Sequence, residues 1–453
     1  MTFFQIISST LPENILIMGL LLILLFEMIL PQNKLFPLLL TAIILGGTFL
    51  SLFYPPLENA FETFYLGNNQ TSLLKMALLL IALPIVIGFR SSFYSYKAQA
   101  LFISAILGAF YMISSLNFLT LFLGLELLAF PTYVLVFLGT KRSFSAEASL
   151  KYLVLGSTAS AIFLLSGVFL YAATGTFSLM NFENIITLNT FHTQLFFLFF
   201  VLAFFFKTAL VPFHQWAPDV YDGADLGITS FMAVFIKAAY FLTLGRLFGQ
   251  LEITPLTLIL FGIVPLASIL WGNLAAIKQT NFSRLMAYSS IAHAAYIYYA
   301  FIGTEAERLP SLTFYILSYG LVVAASFITL NYLSDELHDL KNFKGLFKRH
   351  PWPAGILSFC FLSLAGLPPL PGFFAKFYIF KNVLAEGHTT YALAAFLASY
   401  IGIYFYLKLI VLMYMTEEET ELKAHRKYGS VGFALGSLFL LVPAIWLTTF
   451  FLK

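Results

Sequence analysis

Long apolar runs follow one another through almost the whole chain of 453 residues. About 20 apolar residues suffice for an α-helix to cross a bilayer, so each run predicts a transmembrane helix. Only 10% of the residues are charged, whereas soluble domains contain about 25%. The sequence therefore predicts an all-α polytopic membrane protein with one membrane domain, 1–453. Polar, proline and glycine breaks separate fourteen predicted helices: 14–30, 35–54, 73–89, 98–115, 117–138, 150–173, 194–212, 226–248, 254–273, 284–302, 312–333, 352–384, 391–414 and 430–451.

The twelfth predicted helix, 352–384, is too long for one straight span. Its centre, Gly366–Gly372, contains three prolines, so we expect two half-helices joined by unwound backbone. Such a break is stable within a membrane only where protein or water satisfies the freed backbone groups. The sequence thus places this break in the interior of the protein.

Several classes of chemistry have no support in the sequence. The single cysteine, Cys360, excludes disulfides and cysteine-ligated iron–sulfur or zinc sites within this chain. Only His293 lies well inside a predicted span, so paired haem ligands are not expected. No phosphate-binding glycine loop, zinc-binding helix or nucleophile elbow is evident. We therefore expect no cofactor and no metal in this chain.

Basic residues are distributed unequally between the two sides of the predicted bundle. The loops after odd-numbered helices hold fourteen lysines and arginines, whereas the opposite loops and the two tails hold Arg308 and Lys453. Because basic residues accumulate on the cytoplasmic side, we predict cytoplasmic odd loops and outer (periplasmic) termini.

Four charged residues lie deep within predicted helices: Glu126, Lys207, Lys237 and Lys376. A charge at this depth costs roughly 2.5–3.5 kcal/mol on insertion scales. Such a cost favours a functional role, with structural ion pairs as the simpler alternative. A nearby carboxylate stabilises a charged lysine, so movement of Glu126 relative to Lys207 would change the proton affinity of this lysine, as a proton pump requires.

Prolines stand five residues from three of these charges: Pro131, Pro212 and Pro371. A proline within a helix frees the carbonyl group four residues earlier. We therefore expect the carbonyl groups of Leu127, Thr208 and Leu367 to be free to hold water beside the charged side chains.

Other charged residues lie near the ends of predicted helices, where a long side chain can reach the lipid headgroups. We expect this of four basic residues and of Glu27; the basic residues are Lys75, Lys151, Arg246 and Lys381. Lys151 also stands four residues after Glu147, the spacing of a helical ion pair.

Two further residues are candidate relays. Lys408 shares a helix face with Tyr400 and Tyr404, so that it either lines a water path or extends to the headgroups. His293 is either a hydrogen-bonded interior histidine or a proton relay.

The segment Lys207–Ala224 resembles the antiporter-like N subunits (NuoN type) of bacterial respiratory complex I, the NADH:quinone oxidoreductase. Further matching stretches follow in the same order along the chain: Pro12-Glu13, Leu125–Leu128, Ser149–Tyr152, Arg284–His293, Gly366–Pro368 and Lys376–Tyr378. Two positions depart from the family pattern: Asp225-Leu226-Gly227 replaces a proline-containing stretch, and Ser283 replaces a basic residue.

The resemblance implies a fold and a function. It implies two inverted five-helix repeats, helices 4–8 (98–248) and 9–13 (254–414), each with one broken helix (seven and twelve), followed by the C-terminal helix 430–451. The charged residues of the family fall on Glu126, Lys207, Lys237 and Lys376, which would carry protons in turn. The resemblance further implies that NADH, FMN, iron–sulfur clusters and quinone belong to partner subunits. It also implies that adjacent antiporter-like subunits are partners of this chain and that the chain lies in the bacterial inner membrane.

Two other functions stay open at this stage. A subunit of a multi-subunit cation/proton antiporter shares the fold and the charges of helices five and seven, although Lys376 favours the N type. A standalone solute transporter would also use broken helices, but there the charges would converge on one pocket. A purely structural scaffold would not need four deep charges.

Overall fold

The computed structural model describes residues 10–31, 36–54, 63–88, 95–138, 144–180, 182–188, 190–249, 251–333, 339–415, 434–436 and 438–441. The described part of the chain is almost entirely helical, as predicted. Ten of its helices are long and apolar enough to cross a membrane. The helices in chain order are α1 Leu11–Ile29, α2 Phe36–Ser51, α3 Asn69–Gly88, α4 Tyr96–Ser114, α5 Phe118–Leu138, α6 Ser145–Thr174, α7 Phe182–Thr187, α8 Phe191–Thr208, α9 Trp216–Gly223, α10 Leu226–Leu247, α11 Pro255–Ile277, α12 Phe282–Tyr298, α13 Glu305–Leu333, α14 Leu346–Arg349, α15 Pro351–Ala365, α16 Pro371–Ala385 and α17 Thr389–Met415.

Local sequence explains where many of these helices begin. Thr190 and Thr254 cap α8 and α11 through reciprocal hydrogen bonds with the threonine three residues later. Ser95 and Asn281 cap α4 and α12 with their side-chain oxygens. Proline is the first or second residue of several helices, where its missing N–H group has no intrahelical partner to lose: α1, α2, α11, α15 and α16.

Helices α10 and α13 form the centre of the bundle and are buried along their whole apolar length. The outer helices α1, α6 and α17 bury less than half of theirs. Their exposed faces carry large apolar side chains such as Leu25, Leu150 and Leu397, which suit contact with lipid or with another membrane chain. Lys237, in the middle of α10, is therefore shielded from the lipid-facing surface, with 4% of its surface exposed.

Two predicted spans are interrupted. The span expected at 194–212 ends as α8 at Thr208, where Ala209 adopts a left-handed conformation (φ +62°), and helical structure resumes at α9. The span expected at 352–384 ends as α15 at Ala365, with Gly366 at φ +85°, and resumes at α16. A left-handed residue after the last helical turn terminates a helix because it redirects the backbone.

These breaks correct the expectation that Pro212 and Pro371 free carbonyl groups inside helices. Pro131 lies inside α5, but Pro212 lies between α8 and α9, and Pro371 is the first residue of α16. Neither of the last two frees a carbonyl group inside a helix. The unpaired carbonyl groups near Lys376 are instead those at the end of α15.

The same order of helix types occurs twice. Two helices of ordinary length are followed by a helix of about 30 residues, a broken helix and a single helix, first in α4–α10 and again in α11–α17. Two five-helix repeats would produce this order, and their bounds, 98–248 and 254–414, stay a prediction. The expected C-terminal helix, 430–451, lies largely outside the described residues, as do both termini.

Candidate functional site

Glu126 and Lys207 form an ion pair in the first half of the bundle. Glu126 projects from the middle of α5 and Lys207 from the last turn of α8, with 3.6 Å between Oε1 and Nζ. Ser160 of α6 joins them, because its hydroxyl group donates to Glu126 and accepts a hydrogen bond from Lys207 at 3.1 Å. The Tyr133 hydroxyl group lies 3.5 Å from the same ammonium group. The predicted pairing is confirmed, and Ser160 is a member that sequence reasoning missed.

Lys237 lies at the centre of the bundle, buried in α10. Its ammonium group donates to the Ser290 hydroxyl group at 2.6 Å and to the Ser290 carbonyl group at 3.0 Å. A π-helical turn, Met232–Ile236, immediately precedes it. Such turns occur often at functional sites because they insert one residue and rotate the side chains that follow.

Lys376 uses the break in the second half of the bundle. Its ammonium group donates to the carbonyl groups of Leu364 and Ala365 at 3.2 Å each. These are among the last carbonyl groups of α15, which have no partner within the helix. The Tyr296 ring lies beneath the charge, 4.9 Å from its centroid. Among the described residues, no carboxylate lies within 4 Å of Lys237 or Lys376.

His293 stands on α12 between Ser290, which accepts hydrogen bonds from Lys237, and Tyr296, whose ring contacts Lys376. Its Nδ1 atom bonds to the Tyr315 hydroxyl group at 2.8 Å, and its Nε2 atom lies 3.4 Å from the Tyr406 hydroxyl group. A cavity of about 10 Å³ adjoins the histidine and the break before α16. The two tyrosines were not predicted, although hydroxyl groups within apolar helices could have indicated them.

Lys408 lies apart from this row of residues. Its side chain is exposed on α17, and so are Tyr400 and Tyr404, which are 52% and 58% exposed. The face shared by these residues is therefore an outer surface of this chain and not the lining of an interior path.

The charges near helix ends behave differently from one another. Lys381 is exposed, as expected. Lys75 is 2% exposed and forms an ion pair with Glu13 at 2.6 Å, so the expectation that it reaches the headgroups is wrong. The same expectation does not describe Arg246, because its guanidinium group donates to the Ser115 carbonyl group of this chain. Both side chains find partners on a neighbouring segment of the same chain, a contact that helix position alone does not reveal.

Asp219 joins the two halves of the bundle. From α9 it accepts hydrogen bonds from Lys151 of α6 at 2.9 Å and from Arg284 of α12 at 2.8 Å. Lys151 also pairs with Glu147 at 2.9 Å, which confirms the predicted helical pair. The second arm of this network, from Asp219 to Arg284, was not predicted.

Comparison with known proteins identifies the family. The sequence profile described as "NADH:quinone oxidoreductase/Mrp antiporter, TM" matches residues 115–402. A curated NADH-quinone oxidoreductase subunit N from Pelobacter propionicus is 34% identical over 422 residues, which are 92% of this chain and 90% of that protein. The chain belongs to the NADH-quinone oxidoreductase subunit N family.

Other members and solved structures agree with this assignment. The subunit N of Cytophaga hutchinsonii is 36% identical over 403 residues, with 85% and 87% of the two chains covered. A chain of respiratory complex I from Thermus thermophilus with bound aureothin has a TM-score of 0.83 and 29% identity, covering 96% of this chain and 97% of that one. A chain of the Mrp complex from Dietzia has a TM-score of 0.82 but only 17% identity, with 98% and 95% covered. The Mrp likeness therefore shows the fold alone, and the antiporter alternative is not favoured over subunit N.

Proposed function

We propose that this chain is a proton-translocating membrane subunit of a bacterial NADH:quinone oxidoreductase. In this translocase, proton movement through the chain is coupled to electron transport and quinone reduction elsewhere in the complex. One observation carries the proposal: buried Lys237 and Lys376 have no carboxylate partner among the described residues, and they contact α12 on either side of His293, at Ser290 and Tyr296. Charges that serve only for packing would be expected to pair.

The proposed path begins at the Glu126 and Lys207 pair. Lys207 takes a proton from the cytoplasmic side while Glu126 stabilises its charge, and Ser160 provides a hydrogen-bonded bridge between them. Lys237 receives the proton next. Its ammonium group contacts α12 at Ser290, which stands three residues before His293.

The second half of the path leads outward. His293 connects the surroundings of Lys237 with those of Lys376 through the contacts of its two ring nitrogens with the hydroxyl groups of Tyr315 and Tyr406. Lys376 then releases the proton when the charge state of an adjacent subunit changes. The carbonyl groups at the end of α15 stabilise the charged lysine without fixing it in an ion pair.

The proposal assigns the redox chemistry to other chains. NADH, FMN, iron–sulfur clusters and quinone would be bound by partner subunits, and adjacent antiporter-like subunits would contact this chain in the bacterial inner membrane. Within the described residues, no group of three or more histidine, cysteine, aspartate or glutamate side chains is arranged to hold a metal ion.

Substitution of the central lysines tests the proposal. A relay lysine must release its proton, whereas arginine stays protonated in proteins. We therefore expect Lys376→Arg to stop NADH-driven proton uptake into vesicles nearly as completely as Lys376→Ala, and Lys237→Ala to stop it as well. The matched control is Lys381→Ala, which removes an exposed lysine from the same helix as Lys376.

Each variant is assayed in the complete complex, whose flavin and iron–sulfur signals and mobility on a native gel report assembly. Full pumping by assembled Lys376→Arg would return Lys376 to a structural role, and full pumping by assembled Lys237→Ala would do the same for Lys237. Isolation of the wild-type chain as a stable monomer without redox partners would favour a solute transporter.

A further inference from the structure

A second buried pair of a glutamate and a lysine lies outside the two repeats, between α1 and α3. Glu13 is in the first turn of α1 and Lys75 is in the second turn of α3. Their side chains are 0% and 3% exposed, and Lys75 Nζ lies 2.6 Å from Glu13 Oε1. The Tyr65 hydroxyl group accepts a second hydrogen bond from this ammonium group at 2.9 Å.

The chemistry of this cluster repeats that of the first site. In both, a buried lysine lies between a carboxylate from another helix and a tyrosine hydroxyl group: Glu126, Lys207 and Tyr133 in one, Glu13, Lys75 and Tyr65 in the other. Glu13 differs in one respect. Its second oxygen, Oε2, is buried and has no hydrogen-bond partner in the described part of the chain. Such an atom loses its hydration without compensation.

A small cavity connects Lys75 with the end of the bundle. It has a volume of about 20 Å³ and is lined by Lys75, Tyr65, Thr71 and Ser72, and by Tyr54, which is 73% exposed. A polar cavity of at least about 10–15 Å³ suffices for one water molecule. The first residues of α1 and α3 also lie here, at the end that the distribution of basic residues predicts to be outside.

Tyr111 of α4 lines an open groove of about 710 Å³ whose wall also includes Glu126. Exposed side chains form the outer part of this groove, among them Leu123 and Phe130, which are 65% and 52% exposed. The groove therefore opens towards the surface of the bundle and is separate from the small cavity beside Lys75.

We propose that Glu13 and Lys75 form a proton-release site at the outer end of this subunit. This inference rests on the proposed function. A proton arriving on the Glu13 carboxylate neutralises the counter-charge of Lys75. The Lys75 ammonium group then releases its proton to water in the cavity, and the Glu13 carboxyl group returns its own proton to the neutral amine. One proton leaves for each one that arrives, and the ion pair is restored.

The test uses the complete complex in vesicles and measures protons taken up per NADH oxidised. Glu13→Gln keeps the shape and a hydrogen-bond acceptor but cannot take a proton, whereas Lys75→Arg keeps the ion pair but does not release one. We expect both variants to assemble, to oxidise NADH and to show a lower proton yield. Glu27→Gln, on the same helix but outside the pair, should pump as wild type does.

An unchanged proton yield in assembled Glu13→Gln or Lys75→Arg would overturn the inference. If Lys376→Ala abolishes uptake under the same conditions, only the inference about Glu13 and Lys75 fails and the proposed function stands. If Lys376→Ala also pumps normally, the proposed function itself fails.

If Glu13→Gln does not assemble, an infrared measurement tests the inference instead. In difference spectra between the resting and the turning-over complex, a carboxylic acid band should change position in Glu13→Asp, because the band then belongs to aspartic acid. A spectrum that is identical in wild type and Glu13→Asp would show that residue 13 does not change protonation, which would also overturn the inference.

Discussion

The Ser160 hydroxyl group holds Glu126 and Lys207 at a separation of 3.6 Å, donating to one and accepting from the other. An ion pair bridged in this way stays partly open, so a small rotation of either helix changes the distance between the charges. Coulomb energy falls as the distance grows. At the scale of single residues, this separation supports the proposed variation in the strength of the pair, whereas the shorter contacts of Asp219 join helices.

Glu126→Gln should slow NADH-driven proton uptake strongly. Without the carboxylate, the charged form of Lys207 loses its counter-charge and the lysine takes up a proton less readily. Because about 1.4 kcal/mol on a barrier is tenfold in rate, we expect a loss of about tenfold. Glu126→Asp keeps the charge on a shorter side chain and should be milder. Equal pumping by wild type and assembled Glu126→Gln would show that the pair is only structural.

At the scale of helices, the break between α15 and α16 depends on a close approach of backbone to backbone. The Gly372 N–H group donates to the Ser363 side chain at 3.1 Å. A Cβ atom added at Gly372 would lie 1.8 Å from the Ser363 carbonyl oxygen. Since this contact holds the start of α16 against the end of α15, it also fixes the position of Lys376 relative to the carbonyl groups that it binds.

Gly372→Ala should therefore open the break. Forcing one carbon atom into a packed interior costs about 1–3 kcal/mol, and we expect a lower temperature of thermal inactivation together with impaired pumping. Gly355→Ala is the matched control, because a Cβ atom at this position of α15 meets nothing within 4 Å. Equal thermal inactivation of the two variants would contradict the proposed role of the contact.

At the scale of the whole molecule, the orientation in the membrane is a prediction from the basic residues. Cysteine substitutions at Lys348 and Asn69, both exposed, should react with an impermeant maleimide from opposite sides of the membrane, after replacement of Cys360. Lys348 should react from the cytoplasmic side and Asn69 from the outside. Reaction of both from one side would contradict the predicted helix count, and reaction with the sides exchanged would contradict the orientation.

The fold was largely predictable because apolar length and proline or glycine breaks act locally. The helices, the interruption at Gly366–Gly372 and the deep positions of Glu126, Lys237 and Lys376 follow from sequence, since a membrane helix satisfies its own backbone. The Glu147 and Lys151 pair also follows, because four residues separate its members along one helix.

Only the tertiary structure decided which distant side chains meet. The Glu13 and Lys75 pair spans 62 residues, and Tyr406 lies 113 residues from His293. Ser160 becomes a bridge only because α6 packs between α5 and α8. Hydropathy measures how readily a residue enters the membrane, but it carries no information about which helix faces come together. The sequence by itself therefore determined that Glu126, Lys237 and Lys376 lie deep within helices. Helix packing determined their partners, and it also buried Glu13 and Lys75.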